Sequence, residues 1–342
     1  MKTVLIGLGR IGQLLEKDPF RKKPCTHAGV LLSKFGRMRF DLTLGVDISQ
    51  DRMQNFSIET GFPSMDLGSF QNLSKKELQT YNLAIIATPS NTHEDLARFC
   101  LENRIRHILI EKPVALSKRG AAQLENLRKK QKAKIWINHE RRYHPSYQWV
   151  KQALSRKQFG SIRSIRASVF TSARNPGIAF QKQGGGPLLH DGTHALDLIH
   201  WICGSCSVMT AKIDRPHKNG IETRAYALLE SKERIPILLD VSGGREYFQF
   251  ELDIHTDSHR MILSNDGFVF YESQTSKLYS GFQSLHPFLP SEFPNPETSN
   301  AFLGIYKEIY DVYAKKTKHQ EGTLFDNIQI LEMIESIYRR KK

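Results

Sequence analysis

Gly7-Leu8-Gly9-Arg10-Ile11-Gly12 stands directly after the apolar run Val4-Leu5-Ile6. In a strand-loop-helix unit this spacing suits a pyrophosphate. Gly7 permits the tight turn, Gly9 lets backbone approach the phosphates, Gly12 lets the helix pack on the strand, and the helix N-terminus offers N–H groups to the anion. A carboxylate follows where such a unit needs one. Residues 39–46 turn apolar at Leu42, Leu44 and Val46, and Asp47 at their end can accept the hydroxyls of an adenosine ribose. That favours NAD, with NADP as the alternative, because a 2′-phosphate would be repelled at close range. Gly12 and Asp47 are 35 residues apart, where about 20 are expected. The excess, with Pro19, Pro24 and an expected helix over residues 26–35 capped by Thr26, reads as an insertion after a short first helix.

Two further groups of residues bear reactive side chains. Glu111-Lys112-Pro113 follows the apolar run 107–110, and in an open parallel sheet the ligand crevice lies at the carboxyl ends of the strands. Lys112 is thereby placed where chemistry occurs. Gly184-Gly185-Gly186 then leads through Pro187 into a segment holding His190, Asp191, His194 and Asp197, and such glycines let backbone and side chains come close to a substrate. In an α-helix residues 190 and 194 share one face, with residue 191 turned about 100° away. His190 and His194 with Asp191 or Asp197 could clasp zinc, but that leaves the glycine loop, Asp47 and Lys112 unexplained. No metal is expected.

Elements that could position these groups alternate along the first 140 residues. Short apolar runs at 3–6, 43–46, 83–87, 107–110 and 135–138 are separated by helical periodicity at 91–103 and 118–130, which implies a parallel sheet covered by helices. Beyond residue 160 the pattern changes to strand-like runs at 162–170, 208–214, 224–229, 235–241, 248–256, 260–263 and 268–271. These suit one large, mainly antiparallel sheet. A stretch with Pro287, Pro290, Pro294 and Pro296 is expected as a long loop before two amphipathic helices at 300–316 and 324–340. The fold class is α/β: a doubly wound Rossmann sheet over residues 1–139 and an α+β domain over 140–342.

Composition sets limits on partners. The chain of 342 residues is 39% hydrophobic, enough for two cores of ordinary domain size. No apolar stretch approaches the roughly 20 residues that span a bilayer, and a strand from about residue 3 leaves no room for a secretory segment. Cys25, Cys100, Cys203 and Cys206 do not form a disulfide framework, and Cys203-Gly-Ser-Cys206 lacks a second pair for zinc and reads as packing. A cytoplasmic setting is expected. The net charge of +14 is spread in short groups such as 21–23, 128–134 and 339–342, with no aromatic-interleaved motif beside them. They read as solvated helix faces and a basic tail, with neither nucleic acid nor membrane as partner.

A glycine loop, then Ala87-Thr88-Pro89-Ser90-Asn91-Thr92-His93, then a strand ending in Glu111-Lys112-Pro113, resembles the glucose-fructose oxidoreductase / inositol dehydrogenase (Gfo/Idh/MocA) family over nearly the whole chain. The resemblance implies a nicotinamide dinucleotide on the first domain, held by Gly7, Gly9, Arg10, Ile11, Gly12, Asp47, Thr88, Pro89, Asn91, His93, Glu111 and Lys112. It implies a catalytic Lys112, a cis Lys112–Pro113 peptide turning that side chain toward the nicotinamide pocket, and a carbohydrate-like substrate on a second domain that also forms homo-oligomers. His194 falls on the family's catalytic His. The family's Asp position holds His190, with Asp191 one residue later, so either is a candidate substitute. Asn138-His139-Glu140-Arg141-Arg142-Tyr143-His144-Pro145 resembles the family's crossover, where Arg141 and Arg142 could reach cofactor or substrate. The implied activity is hydride transfer between nicotinamide and a hydroxyl or keto carbon of a sugar, cyclitol or nucleotide-linked sugar. Rivals are a sensor of the same fold without turnover and an enzyme that retains NAD through an elimination or hydrolysis.

Overall fold

The computed structural model describes residues 1–172, 178–181, 184–214, 221–295 and 300–340. Pro296 of the proline-rich stretch and Lys341 and Lys342 of the basic tail lie outside them. The chain divides into two compact units, one of residues 1–144 with 300–328 and the other of residues 145–299 with 329–342. The division is therefore discontinuous, because residues 300–328 cluster with the first unit and not with the sheet that precedes them.

In the first unit six strands, β1 (Lys2–Ile6), β2 (Asp41–Asp47), β3 (Ser64–Asp66), β4 (Leu83–Ile86), β5 (His107–Ile110) and β6 (Lys134–Ile137), form a parallel sheet in the order β3-β2-β1-β4-β5-β6. Leu83, Ala84, Ile85 and Ile86 are all fully buried, as expected of a strand covered on both faces. The strand order reverses between β1 and β4, which places a ligand crevice at their carboxyl ends. Helices Gln50–Thr60, His93–Glu102 and Lys118–Gln131 supply the crossovers, and Ser49 and Ser117 cap the first and last of these with side-chain oxygens. The helix Ala301–Tyr313 completes the same core, since Tyr306 and Ile309 are buried with Phe40 and Trp136.

The expected short helix after the glycine loop does not form. Gln13 N and Leu14 N both bond Gly9 O, a single 3₁₀ turn covers Leu14–Lys17, and the first α-helix is His27–Leu32. Thr26 does cap that helix, its side chain accepting from Gly29 N at 3.0 Å. Lys23–Pro24 is cis.

In the second unit eight strands, β7 (Ile162–Ser172), β8 (Cys206–Asp214), β9 (Arg224–Ser231), β10 (Pro236–Arg245), β11 (Gln249–Thr256), β12 (His259–Ser264), β13 (Gly267–Thr275) and β14 (Gln283–Phe288), form one sheet in the order β14-β13-β12-β11-β7-β10-β9-β8. All neighbours are antiparallel save β7 and β10. The strand β14 corrects the expected loop: Pro287 pairs opposite Tyr271 on an edge strand, where a residue without an N–H is tolerated. Helix Thr193–Cys203 packs on β7 and β11.

Candidate functional site

The glycine loop is built by contacts that no side chain could share. A Cβ on Gly7, at φ +99°, would lie 2.6 Å from the Ala87 carbonyl carbon, and one on Gly12 would lie 2.0 Å from Gly7 O. Glycine is required at both. Gly9 faces open space but for Arg52 Nη1 at 3.7 Å, and Arg10 is exposed with Ile11 half-buried at the loop tip. Asp47, the last residue of β2, is 6% exposed and accepts from Leu8 N at 2.7 Å, Ile48 N at 2.8 Å and Ser49 N at 2.9 Å. It therefore braces the loop as well as facing the β2 end. The Arg52 guanidinium, from the first turn of the next helix, stands near it and is half-exposed.

Lys112 is half-buried in the turn directly after β5, and Lys112–Pro113 is cis as the resemblance implies. The preceding Glu111 enters a buried chain of hydrogen bonds that sequence reasoning missed. His27 Nε2 lies 2.9 Å and Asn138 Nδ2 2.6 Å from Glu111 Oε1, while His27 Nδ1 lies 2.8 Å from Tyr306 Oη. Burial pushes the Glu111 carboxyl up, but the His27 hydrogen bond and charge, the Asn138 hydrogen bond and the Lys112 charge outweigh it and hold the group below the usual range. The insertion thus has a structural product: His27, its first helical residue, is fully buried against the residue beside Lys112. The only available signal was a histidine directly after the capping Thr26.

Other expected dinucleotide contacts separate into two kinds. Pro89 and Asn91 are exposed at the β4 end, and Thr88 Oγ1 accepts from Thr92 Oγ1 at 2.7 Å. His93 is 1% exposed with both ring nitrogens on backbone carbonyls, which leaves no ring nitrogen for a ligand. Arg142 is 2% exposed, donates to Glu321 O at 3.1 Å and stands 3.6 Å from Asp326 Oδ2. Its charge braces residues 321–326. Arg141 is half-buried beside Glu140, and His144, pushed down to about 4 by burial with Lys22 and Arg141 adding to it, marks a gathering of positive charge.

In the second unit the glycine run turns on Glu222. A Cβ on Gly186, at φ +99°, would meet Glu222 Oε2 at 2.2 Å, while Glu222 Oε1 accepts from Leu188 N and from Tyr338 Oη, each at 2.9 Å. The residues that follow do not form the expected α-helical turn. Leu188–Gly192 is a π-helical turn, and the α-helix begins only at Thr193. Such widened turns occur frequently at functional sites. His190 and Asp191 are drawn together, Nδ1 to Oδ1 at 2.8 Å, and Thr171 Oγ1 donates to Asp191 Oδ2. His190, Asp191 and His194 are half-buried, whereas Asp197 is 1% exposed. Among the described residues no cluster of three His, Cys, Asp or Glu could hold a metal ion. Burial pushes the Cys203 thiol up to about 12 and the Cys206 thiol up to about 11, which suits packing and not redox chemistry.

Residues 1–139 match the oxidoreductase family with the NAD-binding Rossmann fold, and residues 147–261 match the GFO/IDH/MocA C-terminal domain. The chain belongs to the GFO/IDH/MocA oxidoreductase family. The rhizopine catabolism protein MocA of Rhizobium meliloti is 25% identical over 189 residues, 51% of this chain and 56% of its own. A trans-1,2-dihydrobenzene-1,2-diol dehydrogenase of Xenopus laevis is 24% identical over 198 residues, 57% of this chain and 56% of its own. The chain spans about half the length of the curated relatives it matches. The fold is that of KijD10, a 3-ketoreductase from Actinomadura kijaniata solved with NADP and TDP-benzene, at a TM-score of 0.77 and 15% identity over 100% of this chain and 98% of that one. It is equally that of the WlbA dehydrogenase from Bordetella pertussis solved with NADH and UDP-GlcNAcA, at 0.78 and 17% over 99% and 95%.

Proposed function

We propose that this GFO/IDH/MocA family member is an NAD(P)-dependent oxidoreductase that moves a hydride between nicotinamide and a hydroxyl or keto carbon of a carbohydrate-like substrate. The observation that carries this is the place of Lys112, in the turn after β5 at the carboxyl end of a parallel sheet whose β1 and β2 ends carry the glycine loop and Asp47. The close-packed glycines and the polar β2 end fit a dinucleotide. Gly7, Gly9, Gly12 and the backbone of Arg10 and Ile11 would hold its phosphates, Asp47 its adenosine ribose, and Thr88, Pro89, Asn91 and Glu111 the nicotinamide half. When bound, nicotinamide supplies or takes up the hydride. In the oxidative direction His194 accepts the hydroxyl proton and Lys112 stabilises the developing alkoxide; reduction reverses both steps.

The π-helical turn bears on the displaced acid. Asp191 is held by Thr171 and paired with His190, so the two act as one unit beside His194 in sequence. Nucleotide-linked sugars are the favoured substrate class, because the fold neighbours were solved with TDP and UDP compounds. The charge of +14 and the grouping of Lys22 and Arg141 around His144 suit an anionic substrate. The open face of the eight-stranded sheet would join copies of the chain. Purified protein with NAD(H) or NADP(H) and a panel of sugars, inositols and nucleotide sugars should change absorbance at 340 nm. Dinucleotide binding with no absorbance change across the panel would instead favour the sensor or the NAD-retaining enzyme.

A further inference from the structure

His93 has two hydrogen-bond partners, and both can only accept. Nδ1 lies 2.7 Å from the Pro113 carbonyl oxygen and Nε2 2.8 Å from the Thr88 carbonyl oxygen. A neutral imidazole carries one N–H and one bare lone pair. A neutral ring here would set that lone pair against a carbonyl oxygen at hydrogen-bond distance. Only a ring with hydrogen on both nitrogens satisfies the arrangement, and at 1% exposure no solvent can substitute for either partner.

The surroundings pull both ways. Burial is the largest influence and holds His93 below the ordinary imidazole range, and the Lys112 ammonium and the positive end of helix His93–Glu102 act in the same direction. The two carbonyls and the Glu111 carboxylate oppose them. Glu94 and Asp95, in the first turn of the same helix, offset its dipole. The balance of these influences favours a neutral ring; the two short contacts to acceptors argue against it, since a neutral ring leaves one of them without a hydrogen.

The two carbonyls belong to different turns. Thr88 lies in the turn after β4 and Pro113 in the turn after β5, so one ring fastens together the segments on either side of Lys112. We propose that His93 is a positioning residue for Lys112: as an imidazolium it ties the turn after β4 to the turn after β5, and loss of its proton lets one of them go. This rests on the catalytic reading of Lys112. His93 then acts through the geometry of the Lys112 turn and makes no contact with the dinucleotide. Its protonation therefore governs kcat.

Long-range ring ¹⁵N–¹H spectra of ¹⁵N-histidine-labelled protein, with the His93 signals assigned by their loss in His93→Gln, test this directly. Both His93 ring nitrogens should carry hydrogen at pH 7, and their titration at higher pH should coincide with a fall in kcat. A bare ring nitrogen at pH 7, or a titration unrelated to the kcat profile, would overturn the proposal. His93→Gln should lower kcat about 10- to 100-fold, by analogy with partners that orient metal ligands, and abolish that alkaline limb. A merely structural role would lower Tm and leave the limb in place. Should His93→Gln fail to fold, single histidine replacements elsewhere assign the spectrum by elimination and the native titration decides. Full turnover by Lys112→Ala would overturn the catalytic reading together with this proposal. Full turnover by His93→Gln beside an inactive Lys112→Ala would overturn this proposal alone.

Discussion

The Arg52 guanidinium stands 3.7 Å from the Asp47 carboxylate. Asp47 already accepts three backbone N–H groups, and a carboxylate offers about four acceptor positions, so its remaining capacity for ribose is narrow. Arg52 is meanwhile placed to meet a 2′-phosphate. NAD(H) should still bind more tightly than NADP(H), by a small margin. Arg52→Ala should weaken NADP(H) about tenfold, or about 1.4 kcal/mol, near the lower end for a charge-assisted hydrogen bond. NAD(H) affinity should hardly move. Calorimetry with both cofactors checks this; native protein that prefers NADP(H) would overturn the role given to Asp47.

Replacing Lys112 or His194 by Ala should lower kcat by roughly 10² to 10⁴ while dinucleotide affinity stays nearly intact. Losses at Asp191 and His190 should be smaller and should not add, because the two side chains share one hydrogen bond. A double-mutant cycle measures this. Additive losses would mean that the pair does not work as a unit, and an undiminished Lys112→Ala, His194→Ala double variant would end the dehydrogenase proposal.

Glu111 links the site to acid stability. Its carboxyl is held below the usual range, so its contribution to folding is full above the unfolded value of about 4.3 and is lost as pH falls through the lowered native value. His27→Leu removes its strongest partner and strands Tyr306 as well. The variant should be less stable by about 1–3 kcal/mol at neutral pH, the cost of leaving buried polar groups unsatisfied. That difference should narrow below pH 4.3 as Glu111 takes up a proton in both proteins. Urea unfolding at neutral and acid pH tests it; a pH-independent difference would detach His27 from the ionisation of Glu111.

Leu238 on β10 pairs directly with Leu228 on β9, and the two are 49% and 39% exposed. Exposed aliphatic side chains side by side on an open sheet face suit a subunit interface. Light scattering should show an oligomer that Leu228→Asp, Leu238→Asp converts to monomer. An unchanged mass would place the interface elsewhere or leave the native chain a monomer.

Five of the six strands of the first unit's sheet were legible because each carries a short apolar run, the later ones separated by helical periodicity. Asp47, Lys112 and the glycine loop were legible for a related reason: their chemistry depends on position at a strand end, which sequence order supplies. His27 was not, since its partners Glu111 and Tyr306 are 84 and 279 residues away, and periodicity carries no record of such contacts. The π-helical turn at Leu188–Gly192 was hidden for another reason. A widened turn differs from an α-turn by the pairing of backbone groups, which Glu222, just ahead of β9, and Thr171 of β7 help to set from a distance. Pro287 concealed β14, because a proline signals loop unless the strand is known to be an edge. Three residues of β3 are too few for any alternation to show.

The return of residues 300–328 to the first unit has a consequence during synthesis. Until Tyr306 arrives, Phe40 lacks the ring that packs edge-on against it at 5.3 Å and His27 lacks its Nδ1 partner; until Glu308 arrives, the Trp136 indole N–H lacks its acceptor. Domains generally fold as the ribosome delivers them, N-terminal first. Here the first 144 residues must wait for residues 300–328, and a ribosome stalled inside the eight-stranded sheet would leave behind a nucleotide fold with an open seam.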